Sequence, residues 1–264
     1  MLINKSRKNM IFDSHMHTKY SADSEMLAAD AIAKAQKLGL GVVFTEHFDY
    51  DIPGDIDFTF VPEDYWREYE PLRSDNVRLG VEVGMEEIAR QPAADFIKRA
   101  PFDLVIGSIH LLDRLDIYYP DFYIGKDKAT AYHKYFAAMA EETEVGDFDV
   151  LAHIDYICRA APYDDPEIDY ATFKEDIDKV LKIVVEREKV LELNTRRLNT
   201  RRGLKELVPI YNRYKEFGGK YVTIGSDAHK LEAVGNYFDI AIDFANELDL
   251  TIVTFCKRQL EICK

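Results

Sequence analysis

The sequence predicts an α/β protein built on a mainly parallel sheet, and three observations lead to this expectation. Short apolar, β-prone runs alternate with longer stretches of helical periodicity, a pattern typical of βα units. No repeat and no linker-like stretch interrupts the alternation, so residues 1–264 are expected to form one domain. The seven or eight βα units favour a closed or distorted barrel, with a doubly wound open sheet as the alternative.

The predicted strands are short apolar runs, most of which lead directly into a polar residue. They cover residues 11–12, 42–45, 77–83, 104–106, 148–152, 190–193 and 221–224. Continuous runs of Val, Ile and Leu are typical of strands that are buried on both faces of a parallel sheet. A further apolar run, at residues 251–255, ends the series.

The predicted helices lie between these strands and carry apolar residues at spacings of three and four. Ser24 is expected to cap the first helix, and Pro62 suits the first position of the second. Residues 48–61 and 113–126 are expected to be loops. The helices cover residues 24–38, a segment that begins at Pro62, and residues 128–143, 173–184, 204–217 and 238–248.

Composition and charge exclude several classes of protein. The chain has 34 Lys and Arg against 48 Asp and Glu, a net charge of −14, which argues against nonspecific binding to nucleic acid or to acidic membranes. Its three cysteines form no CxxC motif, so neither a disulfide framework nor a cysteine zinc site is expected. Residues 1–10 lack the apolar core of a signal peptide, and no run is long enough to cross a bilayer. The cytoplasm is therefore the expected location.

The distribution of the histidines is the strongest functional signal. In a parallel barrel, the carboxyl ends of the strands converge on one face, where active sites are built. Neutral imidazole is a ligand for Zn, Fe and Mn, so a shared metal site is expected there. The seventh histidine, His133, lies in a predicted helix and is expected at the surface or in packing. The other six stand at or just past predicted strand ends: His15, His17, His47, His110, His153 and His229.

Three carboxylates accompany these imidazoles. Glu82 and Asp227 occupy equivalent places near strand ends, and Asp23 lies in the first loop. The alternative interpretation of Asp23 is a turn residue at the entry to the first helix. Mixed imidazole and carboxylate ligands suit catalytic Zn, Fe or Mn. Nine candidate ligands are too many for one tetrahedral ion, so two or three divalent metal ions are expected. Paired metals of this kind can clamp both oxygens in a phosphoryl displacement.

Six motifs, in this order, resemble the polymerase and histidinol phosphatase (PHP) family over about residues 11–235. The resemblance implies a distorted (β/α)7 TIM-like barrel with a trinuclear metal site at the C-terminal ends of the strands. The sequence around residues 44–49, 107–113 and 225–230 is similar to the branch of the family that acts on histidinol phosphate. The motifs are His15-x-His17, Thr45-Glu46-His47, Gly80-Val81-Glu82, Gly107-Ser108-Ile109-His110, Ala152-His153 and Gly225-Ser226-Asp227-Ala228-His229.

The resemblance also implies how the ligands are divided among three metals. By position, the first metal would take His15, His17, Glu82 and Asp227. The second would take Glu82, His110 and His153. The third would take Asp23, His47 and His229.

The implied activity is the hydrolysis of L-histidinol phosphate to L-histidinol and phosphate in histidine biosynthesis. We hypothesise that a metal-bridging hydroxide attacks the phosphorus. Glu82 would bridge the metals, Asp227 would hold the hydroxide, and Asp227 or His229 would protonate the leaving alkoxide. The substrate is a small phosphate monoester, with no nucleic-acid or membrane partner.

The resemblance places phosphate-binding arginines in two loops. The candidates are Arg159, Arg196 and Arg197, and the alternative for each is ordinary solvated surface charge. Of the adjacent pair, one is expected to point inward. The aromatic side chains between Tyr118 and Tyr123 could cover a flat imidazole, or they could simply pack under a long loop.

Three alternative functions stay open at the level of sequence. One is a different PHP phosphoesterase, acting on phosphotyrosine or on nucleotides. Another is an amidohydrolase, a family that usually carries a lysine after its fourth strand, where this chain has Ser108-Ile109-His110. The third is a metal-binding module without catalytic activity. The sequence leaves the metal and the oligomeric state undetermined.

Overall fold

Nine hydrogen-bonded strands form the central sheet of the computed structural model, which describes residues 10–263. Two further strands, β5 (Leu111–Leu112) and β6 (Leu115–Asp116), form a separate hairpin. The central strands, in spatial order, are β1 (Phe12–Asp13), β2 (Gly41–Phe48), β3 (Val77–Gly84), β4 (Leu104–Ser108), β7 (Val150–Leu151), β8 (Val190–Asn194), β9 (Tyr221–Gly225), β10 (Thr251–Cys256) and β11 (Gln259–Ile262).

Seven of these strands, β1 to β4 and β7 to β9, run parallel and close into a barrel. Closure occurs between β9 and the chain that follows β1, where Met16 forms a parallel bridge with Ala228. Ser14 N donates to Ile224 O at 2.9 Å, and Asp227 N donates to His15 O at 2.7 Å. The first residues of β9 pair instead with β10. The distorted (β/α)7 barrel is thus confirmed, and the open-sheet alternative is wrong.

Seven helices surround the barrel. Apolar side chains of the strands and helices pack between the two layers, for example Leu79 and Val81 of β3 with no exposed surface. The helices are α1 (Ala28–Leu38), α2 (Pro62–Tyr69), α3 (Arg90–Ile97), α4 (Lys128–Val145), α5 (Lys174–Glu186), α6 (Arg201–Glu216) and α7 (Phe238–Glu247).

The hairpin of β10 and β11 covers the amino-terminal end of the barrel. Its turn residues, Lys257 and Arg258, have φ of 52° and 59°, an uncommon conformation for non-glycine residues. Contacts hold the turn in place, because Lys257 N donates to Asp103 Oδ1 at 3.0 Å and Arg258 Nε lies 3.1 Å from Asp149. Inside the barrel, Arg78 donates to Phe255 O at 2.6 Å. We call this hairpin, with Arg78, Asp103 and Asp149, the floor.

The structure differs from the sequence-based expectations at several boundaries. The predicted cap at Ser24 is wrong, since α1 begins at Ala28 and its N-cap Leu27 makes no side-chain cap. The Ser24 hydroxyl instead lies 3.1 Å from His17 O and 3.0 Å from His229 O. Pro62 does begin α2. The helix α3 and the strand β11 were not predicted. The helix has only about two turns and the strand only four residues, and neither shows a clear hydrophobic period.

The long loop at residues 113–126 is partly ordered by the β5–β6 hairpin. Phe122 and Tyr123 are buried in it, whereas Tyr118 and Tyr119 are about half exposed. His133 lies at the surface, as expected, and its Nδ1 is 2.6 Å from Asp176. Within the described residues, no helix has the length and apolarity needed to cross a membrane. The expectation for residues 1–10 concerns a segment of which 1–9 lie outside the described residues.

Candidate metal centre

The carboxyl ends of six barrel strands bring together eight of the nine residues that were predicted as metal ligands, and the loop after β1 adds the ninth, Asp23. We call this cluster the mouth. Strand β1 leads into two of its histidines, β2 and β3 carry one residue each, and the segments after β4, β7 and β9 supply the others. Only Asp23 comes from outside these strand ends. Apart from Asp23 and His229, the members are buried. They are His15, His17, Asp23, His47, Glu82, His110, His153, Asp227 and His229.

Glu82 is the centre of the mouth, because its two oxygens face ring nitrogens of five histidines. Oε2 faces His15, His17 and His47, and Oε1 faces His110 and His153. A carboxylate set among imidazoles in this way is a suitable ligand for divalent metal ions. The distances are 3.2 Å to His15 Nε2, 3.4 Å to His17 Nε2, 3.1 Å to His47 Nδ1, 3.4 Å to His110 Nε2 and 3.0 Å to His153 Nε2.

Asp227, just after β9, has a left-handed backbone, with φ of 53°. Asp tolerates this conformation better than most residues, and strained backbone of this kind is common at functional sites. Its carboxylate is 3.6 Å from His17 Nε2 and 3.5 Å from His229 Nδ1. The turn thus aims the carboxylate back into the barrel.

Asp23 completes a third group at the edge of the mouth. Its Oδ2 is 3.0 Å from His229 Nε2 and 3.7 Å from His47 Nε2, and these two nitrogens are 3.4 Å apart. The aspartate is 41% exposed, so this group is the most open to solvent. The structure therefore brings Asp23 to the two histidines with which the sequence had grouped it.

The electrostatics of the mouth favour bound positive charge. Burial would raise the pKa of the Glu82 carboxyl, but the neighbouring His15 and His110 hold that pKa well below its usual range. The pKa of Asp227 is likewise lowered against the effect of burial, chiefly by the Arg159 guanidinium. Burial, together with His47, lowers the pKa of His17. Buried carboxylates that stay ionised need cations close by.

The donor atoms fit divalent metal ions. Glu82 Oε2 and His47 Nδ1 are buried without a hydrogen bond of good geometry, and His15 Nε2 faces His17 Nε2 at 3.2 Å. Imidazole and carboxylate donors without thiolate suit Zn, Fe or Mn. Five groups of three have ligand atoms within 4.8 Å of one another: His17, His47 and His229; His15, His153 and Asp227; His15, His17 and Glu82; His47, Asp49 and His110; Glu82, His110 and His153.

The three predicted arginines differ in their surroundings. Arg159 is 8% exposed, and its Nη1 lies 2.7 Å from Asp227 Oδ2. Arg196 is 46% exposed and reaches Asp227 at 3.5 Å. Arg197 instead pairs with Asp155 at 2.9 Å and with Glu167. Of the adjacent pair, Arg196 is therefore the one that faces the mouth.

Three residues of the site were missed by the sequence analysis. Asp49 and Glu192 contact the rings of predicted ligands, and the Tyr156 ring lies 4.8 Å from that of His153. Asp49 follows His47 by two, the spacing that puts both on one face of an extended chain. Glu192 is a charged residue inside an apolar run. Both features are visible in the sequence, but neither indicates which side chain Asp49 or Glu192 contacts.

The comparisons with known proteins agree with this geometry. A family model described as the PHP domain matches residues 13–196. A probable histidinol-phosphatase of Clostridium acetobutylicum is 43% identical over 253 residues, which is 96% of this chain and 99% of that protein. A histidinol-phosphatase of Lactococcus lactis is 32% identical over 225 residues, 82% of this chain and 83% of that protein.

A solved structure also resembles this one along nearly its whole length. It is the crystal structure of histidinol phosphate phosphatase from Lactococcus lactis in complex with Zn, L-histidinol and phosphate. The TM-score is 0.88 at 28% identity, and the match covers 95% of this chain and 98% of that one. With the family model covering more than half of its length, this chain belongs to the PHP domain family.

Proposed function

We propose that this protein is a histidinol-phosphatase, a metal-dependent phosphomonoesterase that hydrolyses L-histidinol phosphate to L-histidinol and phosphate. The observation that carries this function is the convergence of five histidines on Glu82, with the Arg159–Asp227 pair beside them. Relatives with this name match most of the chain, and the similar solved structure contains L-histidinol and phosphate. The expected substrate is a small phosphate monoester, and an enzyme of biosynthesis fits the cytoplasm.

The nine mouth residues would hold two or three divalent metal ions, and Zn is favoured by the zinc complex of the similar structure. When bound, such ions supply a hydroxide nucleophile near neutral pH and neutralise phosphate oxygens. Glu82 holds the centre of the site, since its Oε1 and Oε2 face different histidines. The ionised carboxylates would thus determine where the metal ions bind.

Arg159 and Arg196 would bind the phosphate, since a guanidinium can donate two parallel hydrogen bonds to phosphate oxygens. Arg159 is held in place by Asp227 and by Asn194 Oδ1, which accepts from its Nη2 at 3.1 Å. Its guanidinium also lies 4.7 Å above the Tyr156 ring. Arg197 would act indirectly, by fixing the loop that carries Asp155 and Glu167.

A proton must reach the leaving alkoxide, and Asp227 and His229 are the groups at hand. His229 Nδ1 is 3.0 Å from Asp227 O, and the ring is 14% exposed at the edge of the mouth. Asp227 is deeper and contacts Arg159. The pH dependence of kcat in Asp227→Asn and His229→Asn would separate the two roles, because only loss of the acid removes the alkaline limb.

The decisive experiment measures phosphate release from L-histidinol phosphate, with and without a metal chelator. Phosphotyrosine and nucleotide monophosphates are assayed beside it. We expect chelator-sensitive release that is fastest with L-histidinol phosphate. Equal or faster release from another ester would assign a different phosphoesterase activity, and absence of release in the metal-loaded protein would indicate a binding module. An amidohydrolase is disfavoured, because this chain has Ser108-Ile109-His110 after its fourth strand in place of a lysine, and Ser108 donates to Glu82 at 2.5 Å.

A further inference from the structure

Two buried carboxylates border the mouth without belonging to the ligand set proposed above. Asp49, just after β2, is 2% exposed, and Glu192, in β8, is 1% exposed. Burying an ionised carboxylate is costly unless it is hydrogen-bonded. Each of these two contacts two of the ligand histidines, and the two histidines come from different strands.

Glu192 connects the ligands that follow β1 and β7. Its Oε1 lies 2.7 Å from His15 Nδ1, and its Oε2 accepts from the backbone N–H of His153 at 2.8 Å. The same Oε2 accepts from Asn194 Nδ2 at 3.2 Å. With Nδ1 donating to Glu192, the other ring nitrogen of His15 carries the free lone pair, and it faces Glu82 at 3.2 Å.

Asp49 does the same for two rings on the opposite side. Its Oδ1 lies 2.8 Å from His110 Nδ1, and its Oδ2 lies 3.2 Å from His47 Nδ1. His110 Nε2 then faces Glu82 and His47 Nε2 faces Asp23. His47 Nδ1 lies between Asp49 and Glu82 Oε2, at 3.2 Å and 3.1 Å. One carboxylate thereby sets the orientation of ligands that were assigned to two different metals.

A glycine makes room for each of these carboxylates. A Cβ on Gly84 would lie 2.0 Å from Asp49 Oδ1, and a Cβ on Gly225 would lie 2.4 Å from Glu192 Oε1. Both glycines lie within the described residues and neither has a positive φ, so the backbone conformation at both positions is compatible with alanine. Gly84 therefore leaves space for Asp49, and Gly225 leaves space for both Glu192 and His15, whose Cβ would also lie 2.4 Å from the added Cβ.

We infer that Asp49 and Glu192 are positioning residues of the metal centre, with Gly84 and Gly225 as the gaps that admit them. A carboxylate that accepts from one ring nitrogen fixes the tautomer of the histidine and makes the other nitrogen a stronger ligand. This inference rests on the proposed metal function. It predicts that these carboxylates control metal affinity through the histidines that they contact, and that Asp49 does so from within the His47, Asp49 and His110 donor group.

The test compares Asp49→Asn and Glu192→Gln with a matched control, Asp103→Asn. Asp103 is fully buried and accepts from Leu79 N and Arg73, and it has no hydrogen bond to a histidine of the described chain. Affinity for Zn²⁺ is measured by competition with a chromophoric chelator, together with thermal unfolding and turnover. We expect zinc affinity to fall about 10- to 100-fold in the two mouth variants. The control should lower the Tm and leave zinc affinity unchanged.

A further variant, Gly84→Ala, displaces Asp49 without removing any donor or acceptor, so it decides the matter even if Asp49→Asn fails to fold. It should weaken zinc binding, and excess Zn²⁺ should restore part of its turnover. Wild-type zinc affinity in Asp49→Asn, Glu192→Gln and Gly84→Ala would overturn the inference. Failure of the wild-type protein to bind zinc or release phosphate would refute the proposed function instead, so the two failures are distinguishable.

Discussion

The mouth and the floor of the barrel both bury charged side chains, but they balance them differently. In the floor, each buried charge meets an opposite charge or a backbone group of the chain itself. Arg78 bonds Phe255 O and Glu261, and Asp103 accepts from Arg73, Leu79 N and Lys257 N. In the mouth, buried carboxylates and imidazole nitrogens converge on one another, and the guanidinium of Arg159, whose side chain is 8% exposed, contacts Asp227.

This difference indicates that the floor stabilises the fold and that the mouth is the end suited to cations. Matched charges at the floor hold the β10–β11 hairpin against the strand starts, so they contribute to stability. Unmatched acceptors at the mouth lower the stability of the empty protein and create the demand for cations. The four predictions that follow test this contrast, and their expected effects decrease in order.

Replacing Glu82 with Gln should have the largest effect. An amide cannot serve as an anionic bridge, and metal ions contribute several kcal/mol to transition-state stabilisation. We expect kcat to fall by at least about 10³-fold, given that about 1.4 kcal/mol corresponds to tenfold. The measurements are phosphate release and bound metal per chain. Near-wild-type turnover at unchanged metal content would refute the central role of this carboxylate.

Removing the metal should destabilise the folded protein, because the mouth loses its bound ions while the floor is unchanged. A ligand at about 1,000 times its Kd stabilises the folded state by about 4 kcal/mol, which corresponds to about 10 °C in Tm for a chain of this size. Differential scanning calorimetry with and without chelator measures the shift. Glu82→Gln serves as control, since its Tm should respond less to the chelator. Identical scans of the wild-type protein would contradict the proposed imbalance.

Replacing Arg78 with Met should destabilise the floor and leave the activity and zinc affinity of the mouth unchanged. The variant leaves Phe255 O without its guanidinium donor and Glu261 without this partner. We expect the free energy of unfolding to fall by about 3 kcal/mol, as measured by urea denaturation. The kcat/KM of the folded variant and its zinc affinity should remain at the wild-type values. A loss of zinc affinity would show that the two ends are coupled.

The smallest effect concerns the pH dependence of stability at the floor. Burial raises the pKa of the Asp149 carboxyl above its usual value, although Arg258 opposes the rise. Between the ordinary and the raised pKa, the folded state holds a proton that the unfolded state has released, so stability falls as pH rises through that window. Asp149→Asn should remove this decline while its side-chain oxygen still accepts from Val105 N.

In the metal-free protein, the carboxylates of the mouth should give folding stability the opposite dependence on pH. The pKa values of Glu82 and Asp227 are lowered, so their stabilising contribution is present above the ordinary carboxyl pKa and is lost as pH falls. Urea unfolding of wild type and Asp149→Asn, from neutral pH to below the ordinary carboxyl pKa, measures both trends. An unchanged pH profile in the variant would contradict the assignment to Asp149.

The sequence was most informative where strand ends coincide with chemistry. The apolar runs before His47, His110 and His153 fixed which side chains share a face, because parallel strands present their carboxyl ends at one edge of the barrel. It was less informative for short elements. The helix α3 and the strand β11 are stabilised by tertiary packing more than by their own periodicity, and Ser24 bonds two mouth carbonyls that its local sequence does not indicate.

By itself, the sequence determined the order of strands and helices and the set of residues that gather at the mouth. Only the tertiary structure decided how those residues are held, including the roles of Asp49 and Glu192 and the division between Arg196 and Arg197. The physical reason is that periodicity is a local property of the chain. The partner of a buried charge, in contrast, is chosen by residues distant in sequence, such as Glu192 and His15, which are 177 positions apart.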